Sequence, residues 1–476
     1  KGNLGINFVH EENEYVDFIV QKLIPYQRTD RGPATAIGDW DGDGKEDVFF
    51  GGSKDKKAVF YLQKGNGFVA KSYPALEQDA VFEDASAVLA DFDGDQKKDL
   101  FVASGGGENA SNLQDRLYRN NNNVPSRQEL PQVAQNATVI RAFDYDKDGD
   151  LDVFIGNNSE TNRFGSTPDC YLLKNTKGKF TLDQTKTFAK IGMVTDAVFT
   201  DFNSDRQTDL IVIGEWMQPT FFVNKNGKFT NVTTTVASSK NKGIWQTILP
   251  FDIDHDGDED YLLGNWGMNS KFNASETYPL KMYYDDFDNN GTFETIVAKE
   301  KNGKYYTTMG LDELTEQFSG MLKKKFNSYQ SFAGKTVEEI FDPAMLAIAK
   351  QYEVHTLQSG YLKNNKGKFI FVPFSNAMQV APITSFVAGN FVGDAKPEVF
   401  AAGNYFGISP YHSRFDGFSG ALIIDQKTML LGHQIGIDLT QKAVRHLDIL
   451  SVNSQNYLLV TINNKPAEVY QITNKK

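Results

Sequence analysis

Residues 39–52 read DWDGDGKEDVFFGG, with carboxylates at alternate positions, glycines between them, and an apolar run behind. Counted from the first aspartate, oxygen-bearing side chains fall at positions 1, 3, 5 and 9: Asp39, Asp41, Asp43 and Asp47. That alternation lets a short turn gather carboxylates round one hard cation, which takes about six to eight oxygen ligands. The obvious alternative is an EF-hand, whose loop lies between helices and closes on a bidentate Glu at position 12. Here position 12 is Phe50, and the residues from position 9 onward alternate as a strand does. The stretch reads as a cation loop joining two strands.

The same pattern recurs along the chain as DFDGDQKKDLFVASGG at 91, DYDKDGDLDVFIGN at 144, DFNSDRQTDLIVIGEW at 201, DIDHDGDEDYLLGNWG at 252 and DFDNNGTFETIVA at 286. The predicted ligands there are Asp91, Asp93, Asp95 and Asp99; Asp144, Asp146, Asp148 and Asp152; Asp201, Asn203, Asp205 and Asp209; Asp252, Asp254, Asp256 and Asp260; and Asp286, Asp288, Asn290 and Glu294. Position 12 is apolar in these copies too: Val102, Ile155, Val212, Leu263 and Val297. The loops at Asp201 and Asp286, where Asn203 and Asn290 replace a carboxylate, are the weaker candidates. Two further copies, NFVGDAKPEVFAAGN at 390 and LDILSVNSQNYLLV at 447, keep the strand and lose the acids, so they are read as repeats without metal.

A strand, loop, strand unit recurring at intervals of roughly 50 residues is what the inner hairpins of a β-propeller require. These repeats resemble the FG-GAP or VCBS-type repeats of the integrin alpha-chain propeller. More narrowly, HEENEYVDF, GPATAIGDWDGDG, GNWGMNS, DELTEQF with LKKKF, and GNYFGISPYHSRFDGFSG resemble large bacterial cell-surface proteins that carry such repeats, some beside an ASPIC/UnbV module. The resemblance implies an all-β propeller with several structural calcium ions, and ligand recognition on the face opposite the cation loops.

Outer hairpins with Gly turns, such as VFYLQKGNGFVA, CYLLKNTKGKFTL, TFFVNKNGKFTNV and SGYLKNNKGKFIFV, mark the outer halves of the blades. The final strand PAEVYQI needs a partner, which the N-terminal GINFVHEE supplies. Eight inner hairpins against seven outer ones predict seven blades, with one inner unit at Asp252 or Asp286 being an insertion; eight blades is the alternative. The expected organisation is a closing segment over 1–32, blades over 33–308 and 353–476, and a helical insertion over 309–352. In that insertion Leu311, Leu314, Phe318, Leu322 and Phe326 share one helical face, Thr336 and Glu339 form a capping-box pattern, and Asp342-Pro343 opens another helix. The insertion is read either as packing against a blade or as a partner-docking element or lid, and on the second reading its deletion is expected to leave folding intact but abolish partner binding.

The chain has 49 Lys plus Arg against 61 Asp plus Glu, a formal charge of -12, which disfavours nucleic acid and anionic membrane surfaces as partners. Six divalent ions would offset that charge entirely. Apolar runs are strand-sized, so no transmembrane segment is expected. The start, KGNLGINFVHEEN, shows neither signal peptide nor lipobox cysteine, as expected of a mature form or a piece of a longer precursor. Cys170, the single cysteine, alternates within CYLLKN as plain core.

If the cation turns share one face, the other strand ends carry GNNSETNRFGSTPD, GEWMQP, GNWGMNSKF and GNYFGISPYHSRFDGF. Arg163, Trp216, Trp266, Tyr405, Tyr411 and Arg414 on these loops are the predicted ligand-binding residues, since aromatic and guanidinium groups dominate recognition hot spots and stack on sugars. No GxSxG, HExxH or phosphate-cradling motif occurs, the six histidines lack metal-ligand spacing, and GGGENAS at 105–111 reads as a turn. The expected function is a non-enzymatic, calcium-stabilised recognition or scaffold protein, extracytoplasmic, at a bacterial surface or outer membrane and peripheral or lipid-anchored there. It would bind a protein partner or an extracellular glycan. The alternative is a polysaccharide lyase using Tyr411, His412 and Arg414.

Overall fold

Behind five of the six acidic loops the following strand is buried on both sides. Asp47–Phe50, Asp99–Ser104, Asp152–Ser159, Asp209–Met217 and Tyr261–Gly264 are buried at every position. A strand can be apolar on both faces only if sheets stack against it from both sides, and the repeat provides that. The computed structural model describes residues 2, 4–106, 109–131, 133–393, 396–409, 412 and 414–473. Its strands form eight antiparallel sheets of three to five strands.

Seven sheets follow one another as blades. The first holds Thr35–Gly38, Asp47–Phe50, Val59–Lys64 and Gly67–Lys71, in that order. Blades 2, 3 and 4 repeat this plan over 84–128, 136–182 and 193–231, blade 6 over 383–431, and blade 7 over 444–471 with three strands. Blade 5 is discontinuous: Thr247–Pro250 and Tyr261–Gly264 pair with Gly360–Asn364 and Phe369–Pro373 from much later in the chain. Between those halves lies the eighth sheet, Leu280–Asp285, Glu294–Lys301, Lys304–Thr307 and Lys350–Val354. The first strands of all seven blades line one central channel of about 330 Å3, with Thr35, Ser86, Thr138, Thr195, Thr247, Thr384 and Arg445 each contributed by a different blade. The inserted sheet does not reach the channel lining, so the loop at Asp286 sits on it rather than in the ring.

Blade 7 is completed by the start of the chain. The Gly2 N–H donates to the Val469 carbonyl at 2.8 Å, the Ala467 N–H to Phe8 at 2.9 Å and the His10 N–H to Lys465 at 3.2 Å. Leu4 and Phe8 then fill a cluster with Val48, Phe50, Leu450 and Val469, which joins the last blade to the first.

The inserted helices run from Leu311–Gln317 to Pro343–Ile348, and the strand Lys350–Val354 then begins inside the expected helical span of 309–352. Leu311, Leu314, Phe318, Leu322 and Phe326 are buried in one cluster with Tyr283, Phe287 and Ile296 of the inserted sheet. Thr336 and Glu339 form the capping box, and Asp342 caps the helix opened by Pro343. The helical face is therefore spent on packing. A deletion of 309–352 would uncover Tyr283, Phe287 and Ile296 and remove part of a paired strand, so the packing argues against the expectation that folding survives it.

Candidate metal loops and the opposite face

The six acidic loops share one backbone. Position 4 has positive φ in every copy (Gly42, Gly94, Lys147, Ser204, His255, Asn289), and so does position 6 (Gly44, Gln96, Gly149, Arg206, Gly257, Gly291). Position 6 explains why glycine recurs there, because only glycine adopts that region without a Cβ penalty. The position 1 carboxylate caps the turn: Asp39 Oδ1 accepts from Gly42 N at 2.8 Å and Asp43 N at 3.1 Å, while Oδ2 accepts from Gly44 N at 2.9 Å.

Position 9 ties the loop to two strands. Asp47, fully buried, accepts from Trp40 N at 2.9 Å through one oxygen and from Gln63 N, on the third strand, at 2.8 Å through the other. Asp99, Asp152 and Asp260 repeat both bonds, and Asp209 repeats the second to Asn224 N at 2.8 Å. Burial pushes these carboxyls up, to about 6 for Asp47 and Asp260 and about 7 for Asp152 and Asp209, against the backbone N–H groups that hold them down.

Position 3 is different, because it lacks such partners. Asp41, Asp146, Asp254 and Asp288 each keep one buried Oδ1 without a hydrogen bond. A buried carboxylate oxygen left that way is costly unless a cation meets it. Among the described residues five groups bring ligand oxygens within 4.8 Å of one another: Asp39, Asp41 and Asp43; Asp91, Asp93 and Asp99; Asp144, Asp146 and Asp152; Asp252, Asp254 and Asp260; Asp286, Asp288 and Glu294. The donor set is all oxygen, which fits a hard divalent cation such as calcium. Side-chain cations stand beside four of them: Lys64 at Asp41 and Asp43, Arg119 at Asp93 and Asp99, Lys174 at Asp146 and Asp148, and Lys363 at Asp254 and Asp256. Gln317 of the inserted helices reaches Glu294 Oε1 at 3.0 Å.

The blade 4 loop departs from this pattern. Asn203 Nδ2 donates to Asp209 Oδ2 at 2.9 Å, so an amide closes the turn where the other loops have two facing carboxylates. The residue preceding Asn224 is Val223, where the equivalent positions hold Arg119, Lys174 and Lys363. Loss of one carboxylate and loss of the neighbouring cation occur together, as charge balance requires. Asp201, Asn203, Asp205 and Asp209 are not brought together as an acidic group.

On the opposite end the predicted aromatic surface is corrected. Trp216, Trp266 and Tyr405 are 3%, 1% and 1% exposed, because the N-terminal segment crosses over them. Tyr26, from that segment, receives a hydrogen bond from Trp216 Nε1 at 3.1 Å and packs 4.6 Å from the Trp266 ring, which lies 5.4 Å from Tyr405. Tyr405 donates its hydroxyl hydrogen bond to the segment itself, with the Gln27 carbonyl at 2.7 Å and Asp30 Oδ1 at 2.8 Å. Arg163 and Arg414 do reach the surface, where each covers a ring: Arg163 stands 4.5 Å from Phe293 and Arg414 3.8 Å from Phe406. Tyr411 lies outside the described residues. His412 is buried 5.4 Å from Phe272, and burial together with Lys271 and Lys299 lowers its pKa to about 4.

Sequence reasoning missed the charged strap that holds this segment down. Arg31 pairs with Glu215 at 2.5 Å over the channel mouth and Arg445 with Asp30 at 3.4 Å, while Arg28 pairs with Asp17 at 3.6 Å inside the segment. The only sequence signal was the run RTDRG, whose charges lie beside apolar residues with no surface pattern to explain them.

A model of the FG-GAP-like repeat matches residues 39–102, 91–155 and 201–263. No curated protein matches the chain. Solved structures similar to it include YCF48 from Cyanidioschyzon merolae (8% identity, 94% of this chain and 99% of that one, TM-score 0.45). Others are Sqt1 of Saccharomyces cerevisiae (9%, 95% and 100%, 0.42) and the V. cholerae biofilm matrix protein Bap1 (10%, 98% and 91%, 0.41). A ring of antiparallel four-stranded sheets round one channel defines a β-propeller. The chain is a β-propeller, and five of its six acidic loops, those at Asp39, Asp91, Asp144, Asp201 and Asp252, fall within matches to the FG-GAP-like repeat.

Proposed function

We propose that this protein is a non-enzymatic, calcium-stabilised recognition scaffold, working outside the cytoplasm at a bacterial surface or outer membrane. The observation that carries the reading is the unpartnered position 3 oxygen, repeated at the same point of three ring loops (Asp41, Asp146 and Asp254) and once more on the inserted sheet (Asp288). Sites repeated in equivalent places round a ring brace the blades, and millimolar extracellular calcium fills loops of modest affinity. Braced from one end, the propeller offers the other end for contact. The long connections gather there: 157–170, 265–279, the inserted sheet with its helices, and 404–420. The partner is a surface protein or a glycan, and attachment to the membrane is peripheral or through a lipid.

The reading is tested by capture. The full chain is incubated with detergent-solubilised envelope in millimolar calcium and again in chelator, and the retained material is identified by mass spectrometry. A stoichiometric partner retained only with calcium supports the scaffold; equal recovery in chelator, or none in either, rejects it.

A further inference from the structure

The outer strand of blade 5, Phe369–Pro373, reads FIFVP. The outer strands of blades 1 to 4 each carry a charged residue, Lys71, Arg127, Lys179 and Lys228, of the kind that guards a free sheet edge against pairing. Phe369–Pro373 carries none, and Ile370 is 59% exposed. The register fixes which main-chain groups lie at that edge. Asn365 and Lys368 exchange both backbone hydrogen bonds across the turn, at 2.8 and 3.2 Å, and the Phe374 N–H donates to the Ser359 carbonyl at 3.0 Å. Ile370 and Val372, in step with them, bond inward to Lys363 and Tyr361, so alternation turns the N–H and C=O groups of Phe369 and Phe371 outward. Among the described residues no backbone group of another segment meets them.

Two other blades show what such an edge can hold. The Phe68 N–H of the blade 1 outer strand donates to the Leu4 carbonyl at 2.6 Å, and the Gly2 N–H donates to the Val469 carbonyl of the blade 7 outer strand at 2.8 Å. In both, the N-terminal segment lies along the edge as an added length of chain. Among the described residues, blade 5 has no such cover.

A cavity of about 690 Å3 opens beside its outer strand, between the connections entering blade 5, leading out to the inserted sheet and returning from it. Phe272 and Leu357 are buried in its walls, Phe371 is half-buried, and Met268 is 56% exposed. That lining suits apolar side chains. At the start of the strand Lys366 and Lys368 are exposed, and neither forms an ion pair among the described residues; the Lys368 Nζ donates to the Thr235 carbonyl. Lys240 and Lys363, by contrast, are taken by Glu276 and Asp254.

We propose that this edge accepts an extended segment of a partner protein as a fifth, antiparallel strand of blade 5. The main chain of the segment pairs with Phe369 and Phe371, its apolar side chains at alternate positions enter the cavity beside Met268 and Phe272, and an acidic residue at its C-terminal end meets Lys366 and Lys368. Charge complementarity selects an acidic end over a basic one, and the outward main-chain groups select a peptide over a glycan. The inference rests on the recognition reading above and names the partner chemistry for one stretch of the rim.

The test is fluorescence anisotropy of the full chain in millimolar calcium with a labelled heptapeptide of alternating valine and threonine that ends in aspartate. The peptide is expected to bind, and methylation of all its backbone amides, which keeps the side chains, should weaken binding tenfold or more. Ile370→Lys, which puts a charge on an exposed edge position, should do the same with an unchanged melting temperature, guarding against misfolding. Lysine in place of the aspartate should weaken binding to the native chain and strengthen it to the Lys366→Glu, Lys368→Glu double variant. Absence of binding, or affinity indifferent to amide methylation, to Ile370→Lys or to the charge exchange, would overturn the proposal. Concentration-dependent dimers on gel filtration that Ile370→Lys abolishes, without peptide binding, would also overturn it and give the edge to a second copy of the chain. Calcium-dependent capture of an envelope partner by Ile370→Lys would leave the scaffold reading standing, so the two can fail separately.

Discussion

Asn120 Nδ2 donates to the Trp40 carbonyl at 2.6 Å, linking blade 2 to the acidic loop of blade 1. Asn175 makes the same bond to Phe92 at 2.7 Å, Asn224 to Tyr145 at 2.8 Å and Asn364 to Phe202 at 3.5 Å. Each of these asparagines also gives its backbone N–H to the position 9 carboxylate of its own blade. In each of blades 2 to 5 one asparagine thus couples an acidic loop, its third strand and the neighbouring blade.

Replacing such an asparagine leaves a buried carbonyl without its donor. Asn175→Ala is expected to destabilise the protein by about 1–3 kcal/mol, read by urea denaturation. Asn364→Ala, whose bond is longest, should cost less; equal losses would contradict the ranking.

Calcium should raise the melting temperature and a chelator should lower it. By mass action one site at a hundredfold excess over its Kd adds about 2.7 kcal/mol. Asp146→Ala, which removes the orphaned oxygen of blade 3, should reduce calcium stoichiometry by one. Asp205→Ala in the amide-closed loop of blade 4 should leave it unchanged. A melting curve indifferent to chelator would reject the assignment.

The aromatic residues beneath the N-terminal strap should behave as core. Trp266→Ala is expected to cost about 3–5 kcal/mol, whereas Arg414→Ala, on an exposed guanidinium, should stay within about 0.5 kcal/mol. Denaturation of the two variants side by side separates packing from surface.

Stability should fall as pH rises from about 4 toward 7, in part through Asp448. This carboxyl lines the channel with one oxygen unpartnered; burial, with Glu46 adding repulsion, lifts its pKa to about 7. A raised folded pKa means the native state holds the proton longer than the unfolded one. Its contribution is full below about 4 and lost as pH climbs through 7. Asp448→Asn should flatten that part of the profile relative to wild type, measured as melting temperature from pH 4 to 8.

Removing residues 309–352 should yield aggregated or partly folded protein, because Tyr283, Phe287 and Ile296 lose their cover. Monodisperse protein with a native-like melting transition on gel filtration and calorimetry would refute this.

Much of the ring was legible because its signals are local. Position 12 of each loop, from Phe50 to Val297, was apolar as an inner strand demands, and the spacing of the acids exposed the repeat. The blade 5 interruption was readable only as an excess of inner hairpins. The pairing of Tyr261–Gly264 with Gly360–Asn364 across the insertion carries no local mark. The blade-to-blade asparagines escaped notice for the same reason, since an Asn before a Gly turn looks like turn chemistry until its side chain meets another blade.

By itself the sequence determined which residues form the acidic loops and that strands follow them, since oxygen spacing and two-residue alternation depend on neighbours a few positions away. Only the tertiary structure decided the fate of the opposite face. Trp216 looks like a surface anchor on its loop, yet its indole bonds Tyr26, 190 positions earlier in the chain. Burial of an aromatic residue depends on what covers it, and here the cover is a distant segment held by Arg31–Glu215 and Arg445–Asp30 ion pairs that no local pattern encodes.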